Sequence, residues 1–407
     1  MIDSSALQRA NVVGHHGVAG RSAQDRYDCA IIMPTILRPS ILRAVRSIFE
    51  QDLDGTIQIM IGVDGGHARM ETLQTLISER PDNIAFTVVD PGYSTCRLRG
   101  GMHGAFDGGA LRTILSYAAN SAYLANLDDD NWWAPDHLSG LVEAIKGKDW
   151  AFSLRWYVAD DGETLLCPDE WESIGPGKGA FLSRFGGFSD TNTMLIDKTR
   201  VDEVLRLWSI PVFGEDKTGI GSDRNVFNVL KERPFGESGN ATSYYVLDTT
   251  DVQHSKRVNW VRNSLGRNFD GYKAFIQGRF ADAAHAFGRY FAIGPRSGLG
   301  VAWLALTRAR ASIADDIESY CDQGSDADTG DERNKAIEVL AGRLTPDASY
   351  VGEELCCLIF FAGERALLDG DSRRAKQLFE VAANTGVEGQ MERAAAAGEL
   401  ERLRKTV

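Results

Sequence analysis

Between Cys29 and Leu127 short apolar runs alternate with segments of helical period, and this alternation constrains the fold more than any other feature of the sequence. Cys29–Met33 is an apolar run closed by Pro34. Ser40–Gln51 follows with apolar residues at 41, 42, 45, 48 and 49, the spacing of a helix with one buried face. Thr56–Val63 predicts a second strand ending in Asp64-Gly65-Gly66, Met70–Glu79 a helix, and Ile84–Val89 a third strand. Gly109–Ala119 predicts a further helix that leads into a fourth strand, Tyr123–Leu127. Strands separated by helices of this length imply crossover connections, hence an α/β domain with a mostly parallel sheet covered on both faces. Ligands of such sheets bind at the carboxyl ends of the strands. The first, second and fourth strands end there in Pro34-Thr35, Asp64 and Asp128-Asp129-Asp130.

The three consecutive aspartates are the sharpest chemical signal. Like charges this close raise one another's pKa, and a bound cation is the simplest compensation. In an extended segment Asp128 and Asp130 share one face and Asp129 takes the other. A hard divalent ion held there, with most of its coordination sphere open, suits a diphosphate. The competing reading is a helix cap assisted by Asn131. One acid suffices for a cap, so three favour the metal.

The chain has 407 residues, enough for two or three domains, and its 43% hydrophobic and 25% charged residues are those of an ordinary soluble protein. A net charge of −13 argues against wrapping nucleic acid or lying on anionic lipid, so an anionic substrate needs a metal or clustered arginines. Cys29, Cys96, Cys167, Cys321, Cys356 and Cys357 are scattered without a CxxC pair, which predicts reduced, packed thiols of a cytoplasmic protein. No stretch is apolar and long enough to span a bilayer, and the N-terminus lacks a signal-peptide core. Residues 1–26 read as a polar, poorly ordered extension in which His15-His16 is solvated rather than ligating.

Ala151–Tyr157 is another strand candidate, followed by a glycine-rich connection over 167–190. Lys198–Trp208 and Ser222–Lys231 are helix-like, and Ser243–Leu247 is an apolar strand. Near residue 265 the character changes, and from Tyr272 onward the chain reads as helices. Gly278-Arg279-Phe280 precedes Ala283 and Phe287, and Gly370-Asp371-Ser372 precedes Ala375 and Phe379. This spacing resembles the helix-turn-helix unit of tetratricopeptide repeats, against the alternative of an ordinary helical bundle. The acidic stretch Asp322–Glu332 reads as a loop interrupting the array. The expected organisation is a polar extension over 1–26, an α/β domain over 27–265 and an all-α helical-repeat domain over 266–407.

The motifs of the first domain carry a resemblance. Ala30-Ile31-Ile32-Met33-Pro34-Thr35, then Leu42, Val45, Ser47-Ile48 and Gln51, then Ile59 and Val63-Asp64-Gly65-Gly66 resemble the opening of the GT-A glycosyltransferases of family 2. Gly109-Ala110-Leu111-Arg112 before a helix, Leu127-Asp128-Asp129-Asp130 and Pro135 continue it, so the resemblance spans roughly residues 29–255. It implies a GT-A, Rossmann-like fold, a nucleotide-diphosphate-sugar donor, usually a uridine nucleotide, and Mn2+ or Mg2+. Pro34 and Thr35 would line the nucleoside pocket, Asp64 would accept a hydrogen bond from the base, and Arg112 would sit near the base or phosphates. Val63 stands where the family often has a first acid before Asp64. The triad aligns with the DxD motif: Asp130 as principal metal ligand, Asp128 on the ribose or assisting the metal, and Asp129 with Asp128 among the nucleotide-sugar-binding residues.

Inverting transfer also requires a base opposite the leaving group. Asp223 opens an amphipathic segment in the expected register, with Asp216 of Glu215-Asp216 as the reserve candidate. His254 follows the last strand, and the resemblance implies a metal-ligand role because several GT-A enzymes complete the metal site with a histidine from this region. The alternative is a structural or solvated histidine, and Lys256 and Arg257 lie nearby in sequence for the diphosphate. Arg97 and Arg99 are candidates to clamp phosphates, or are solvated. Trp132 and Trp133 either stack on a sugar or pack in the core. The loop 170–192, with Trp171 and Asn192, is the expected acceptor region.

The expected function is metal-dependent, inverting glycosyl transfer to a peptide, protein or glycan acceptor. The helical domain would bind the acceptor or form a homodimer. A surface polysaccharide or lipid-linked acceptor is the alternative within that chemistry. A non-catalytic nucleotide-binding scaffold and a nucleotidyltransferase are the readings from other classes.

Overall fold

The computed structural model describes residues 14–22, 24–65, 70–105, 108–210, 212–213, 219–251, 253–267, 269–293, 298–313, 317–321 and 335–405. Its contacts divide into two compact units, one of residues 1–160 with 167–248, the other of residues 161–166 with 249–407.

The first unit is built on a mixed sheet. Its strands are β1 (Gly14–His16), β2 (Tyr27–Thr35), β3 (Ile57–Val63), β4 (Ile84–Val89), β5 (Ser121–Asn126), β6 (Trp132–Trp133), β7 (Trp150–Val158) and β8 (Leu165–Pro168). A two-stranded piece, β9 (Gly175–Pro176) with β10 (Gly187–Phe188), precedes β11 (Met194–Asp197). A second such piece, β12 (Val212–Phe213) with β13 (Gly219–Ile220), precedes the long β14 (Phe235–Val246). The order across the sheet is β1-β4-β3-β2-β5-β11-β7-β14-β6, with β8 beside β7. β4, β3, β2 and β5 are mutually parallel, whereas β11 runs antiparallel to both β5 and β7.

The crossover helices are α1 (Ile41–Phe49), α2 (Met70–Glu79) and α3 (Gly109–Ala118), followed by α4 (His137–Ala144), the single turn α5 (Leu182–Phe185) and α6 (Asp223–Leu230). Alternation along β2 feeds two cores. Cys29, Ile31 and Met33 pack with Ile41, Val45 and Leu73 on one face, and Ala30 and Ile32 pack with Leu115, Trp208 and Phe227 on the other. Burying both faces is what makes the first strands read as continuous apolar runs. The predicted helix over Lys198–Trp208 is a run of 3-10 turns, Asp202–Ser209.

Two further features differ from the sequence expectation. β1 falls inside the segment expected as an extension, pairing antiparallel with β4, and His15 Nδ1 lies 3.0 Å from Thr87 Oγ1. The stretch 167–190 is tightly organised: the Asp169 carboxylate accepts from the backbone N–H groups of Trp171, Glu172 and Ser173 at 2.9, 2.8 and 3.0 Å.

The second unit is helical, with α7 (His254–Arg267), α8 (Gly271–Ile276), α9 (Phe280–Ile293), α10 (Gly298–Arg310), α11 (Lys335–Leu340), α12 (Gly352–Leu368), α13 (Ser372–Thr385) and α14 (Met391–Lys405). Gly278 and Gly370, the glycines of the two matching motifs, both take left-handed φ (77° and 83°) between helices, and Ala283, Phe287, Ala375 and Phe379 are all buried. Helices cross closely at Gly363, where a β-carbon would come within 2.6 Å of the Phe379 ring. The core centres on Trp303, which stacks on Phe287 and Phe360 at 5.7 and 5.2 Å between centroids. No described helix is long and apolar enough to cross a membrane. The six cysteines are free thiols, and burial pushes that of Cys29 up to about 12. Asp322–Glu332 lies outside the described residues.

Candidate active site

The sheet order places the site before any side chain is considered. From β2 the chain winds outward through β3 to β4, then returns to lay β5 on the other side of β2. Sheets wound in this way bind ligands where the winding direction reverses, here at the carboxyl ends of β2 and β5. Thr35 ends β2, and Asp128, Asp129 and Asp130 follow β5. The triad caps no helix: the next one, α4, starts at His137 with Asp136 at its N-cap.

The three acids are held differently. Asp129, 5% exposed, accepts the Thr35 hydroxyl at 2.6 Å, and Arg38 Nη1 lies 3.3 Å from its other oxygen. Asp130 pairs with the same Arg38 nitrogen and accepts from Asn131 Nδ2 at 3.2 Å. Asp128 pairs with Arg112, whose guanidinium also donates to Asn126 Oδ1 at 3.2 Å and lies 5.7 Å over the Trp208 ring. Desolvation, and then the Asp128 charge, push the Asp130 carboxyl up to about 6, against the lowering influence of Arg38. Its side chain is 40% exposed, so the carboxylate cluster is the cause with the clearer structural basis.

Around the triad the family-type residues have physical roles. Ser47 Oγ accepts the Trp133 N–H at 3.2 Å, and the Gln51 amide donates to Ala134 O at 2.8 Å and accepts from Leu138 N at 2.9 Å. Ser47 of α1 and Gln51 just beyond its end therefore fix the segment that leaves the triad. Pro34 precedes Thr35 in β2, and its ring sits against Gly108, where a β-carbon would approach to 2.7 Å. Asp64, 4% exposed, accepts from Ser94 Oγ, Thr95 N and Thr95 Oγ1 at 3.1, 2.6 and 2.8 Å. Most of its hydrogen-bonding capacity thus anchors the loop that follows β4. Gly66 lies outside the described residues.

A buried charge network, which the sequence did not reveal, supports Asp128 from behind. Asn192 accepts the Asp128 N–H at 2.6 Å and donates to Asp128 Oδ2 at 2.9 Å and to Asp190 Oδ1 at 2.8 Å. Asp190 receives Arg155 Nη1 at 2.6 Å, and Arg155, fully buried, also holds Asp169 and Glu172 at 2.9 Å each. Burial alone would lower the Arg155 pKa, but these acids, with Tyr157, hold it well above the ordinary value. Glu172 continues to Arg224 at 3.8 Å, whose guanidinium stacks 3.3 Å over the Phe188 ring. The available signal was Arg155 itself, the one charge inside a largely apolar strand, which demands partners.

Asp223, the first residue of α6, is partly buried and accepts the Arg224 N–H at 2.7 Å. Glu215-Asp216 lies outside the described residues. His254 opens α7 in the second unit, with its Nδ1 buried and without a hydrogen-bond partner among the described residues. Arg257 of that helix pairs with Asp251. Arg97 and Arg99 are exposed. Trp133 is core, stacked on His137 at 4.3 Å and donating from Nε1 to Asn192 O at 2.8 Å. Trp132 lies between Tyr244, at 5.1 Å, and the Arg43 guanidinium, at 3.6 Å.

Among the described residues no three His, Cys, Asp or Glu side chains converge as a complete metal cage. The donor set still fits a diphosphate-bridging ion, because such an ion is commonly held by one or two carboxylates and takes its remaining ligands from phosphate and water. Asp128 and Asp130, 34% and 40% exposed, are open enough to serve.

Residues 30–194 match the family Glycosyl transferase family 2. No curated protein matches the sequence. Among solved structures, S. aureus TarS 1-349 is similar over 93% of this chain and 91% of that one, at 11% identity and TM-score 0.38. The same protein in complex with UDP-GlcNAc gives 93% and 92% coverage, 11% identity and TM-score 0.39. Likenesses at this level assign neither substrate nor mechanism. The family match spans the triad, Thr35, Asp64, Arg112 and Asn192 and stops before Asp223. Residues 30–194 thus form a family 2 glycosyltransferase domain, and the chain is a glycosyltransferase that continues from this domain into a helical one.

Proposed function

We propose that this glycosyltransferase is metal-dependent and inverting, and moves a sugar from a nucleoside-diphosphate donor, with uridine as the nucleoside. The observation that carries this reading is the position of Asp128 and Asp130 at the switch point between β2 and β5, inside the family 2 segment. Asp130, with Asp128, is the set that would hold Mn2+ or Mg2+. Such an ion would neutralise charge developing on the departing diphosphate. Pro34 and Thr35 line the nucleoside pocket, and Asp64 shapes its wall through Ser94 and Thr95 while keeping a lone pair for the base. Arg112 holds Asp128, and its proposed role is beside the base or phosphates of the donor.

Asp223 is the proposed base, with Asp216 in reserve. Its carboxylate would take the proton of the acceptor oxygen as that oxygen attacks the anomeric carbon. The N-terminus of α6 and the Arg224 N–H stabilise the charged form it needs for this. A peptide or protein acceptor is the reading for which the helical second unit provides a platform, since stacked helix pairs present extended surfaces. The same unit is a candidate homodimer surface, and a glycan acceptor is the second reading.

The test is donor turnover across a panel of nucleotide sugars, with and without Mn2+, for the wild type, Asp130→Ala and Asp223→Asn. Both variants should lose turnover by at least about a hundredfold. Asp130→Ala should also lose metal-dependent donor binding, which Asp223→Asn should retain. Unchanged turnover in either variant would remove that residue from its role.

A further inference from the structure

Arg38 belongs to no motif that the sequence singled out, yet it is the cation paired with Asp129 and Asp130. Leu37 takes a left-handed φ of 57°, a conformation that costs a branched side chain free energy. Two contacts hold it there. Its N–H donates to Thr35 Oγ1 at 2.7 Å, and its side chain is 1% exposed in the core. The turn sends Arg38 back over the end of β2, where one nitrogen serves both Asp129, at 3.3 Å, and Asp130.

The two carboxylates are unequal partners. Asp129 is buried and already accepts the Thr35 hydroxyl, so it is a fixed anchor. Asp130 and Arg38 are 40% and 42% exposed, and a pair this open is weak enough to exchange. Asp130 is also the carboxylate to which the proposed function assigns the metal. A divalent ion on it would repel a guanidinium in contact with the same group. The planar fork of arginine would then match the oxygens of a diphosphate, which it can bind bidentately.

Resting on that reading of the site, we infer that Arg38 is an exchangeable counter-ion: it neutralises Asp130 until a divalent cation takes that carboxylate, then moves to the donor diphosphate while keeping Asp129 as its anchor. Arg38 is thereby a donor-contacting residue, and the strained Leu37 turn is the device that aims it. A merely structural ion pair would require none of this.

The experiment measures two affinities of the full-length chain by titration calorimetry, Mn2+ alone and UDP in saturating Mn2+, for wild type, Arg38→Ala and Arg38→Lys. Circular dichroism checks folding, which an exposed pair should not disturb. Removing the competitor should tighten Mn2+ binding by Arg38→Ala about threefold or more. Losing a charge-assisted phosphate contact should weaken its UDP binding about tenfold or more. Arg38→Lys, which keeps the charge and loses the fork, should fall between wild type and Arg38→Ala in UDP affinity. If Mn2+ affinity is unchanged or lower in Arg38→Ala, the exchange is wrong. If UDP affinity is unchanged, the diphosphate contact is wrong. If wild type binds neither Mn2+ nor UDP, the reading of the site itself falls and this inference falls with it.

Discussion

Replacing Asn192 with alanine tests how the acid triad is supported. The Asn192 side chain is 2% exposed and makes three hydrogen bonds, two to Asp128 and one to Asp190. Two of the three have a carboxylate acceptor, and a hydrogen bond to a charged group contributes about 1.5–3 kcal/mol net. The losses are not all felt. Asp190 retains Arg155 and the Asn192 backbone N–H, and Asp128 retains Arg112 and is one-third open to water. A net destabilisation of about 2–4 kcal/mol follows, concentrated in the first unit. Urea unfolding followed by near-ultraviolet circular dichroism would measure it, with the slope of the transition checked against wild type. Asn192→Asp is the informative companion, because it preserves an acceptor for the Asp128 N–H but sets three carboxylates together. It should be less stable than Asn192→Ala at neutral pH and recover on acidification. An Asn192→Ala protein within about 0.5 kcal/mol of wild type would refute the idea that this amide carries the support of Asp128.

Two further outcomes follow from burial and close approach. In the second unit Glu364 is fully buried beside Glu399 and Arg310, and desolvation first, then Glu399, push its carboxyl up to about 8 from an ordinary 4.5, with Arg310 and Arg402 opposing. The folded state therefore keeps this proton after the unfolded chain has released it. Stability should fall as pH rises from about 4.5 to about 8, at up to about 1.4 kcal/mol per pH unit from this group. Thermal melts of Glu364→Gln should lack this slope, and parallel profiles for the two proteins would overturn the assignment. At the first turn of α3, a β-carbon on Gly109 would lie 2.0 Å from the backbone oxygen of Trp208. Gly109→Ala should cost about 1–3 kcal/mol and shift Arg112, so UDP affinity should fall together with the melting temperature. A variant with wild-type stability and affinity would show that the helix accommodates the methyl group without moving.

Strands β2 to β5 and the three crossover helices were legible because the sheet is buried on both faces and the helices on one, which writes apolar runs and a helical period directly into the sequence. Where order depends on single polar atoms, the sequence was quieter. The glycine-rich stretch 167–190 read as an irregular connection, although Asp169, Glu172 and Asp190 close around Arg155. Ion partners far apart in the chain leave no periodic trace. The short β1 was missed because a three-residue edge strand carries no alternation to detect.

The sequence by itself determined the α/β-then-helical order, the position of the acids after the strand that became β5 and the resemblance to family 2, since local periodicity and motif spacing survive without a fold. Only the tertiary structure decided how each acid is held. It made Asp129 a buried anchor, bound Asp128 to Arg112 and Asn192, left Asp130 paired with an exposed Arg38, and spent most of Asp64 on a loop. The physical reason is that a carboxylate's role depends on its solvation and on the nearest donors, and those neighbours come from strands and loops tens of residues away.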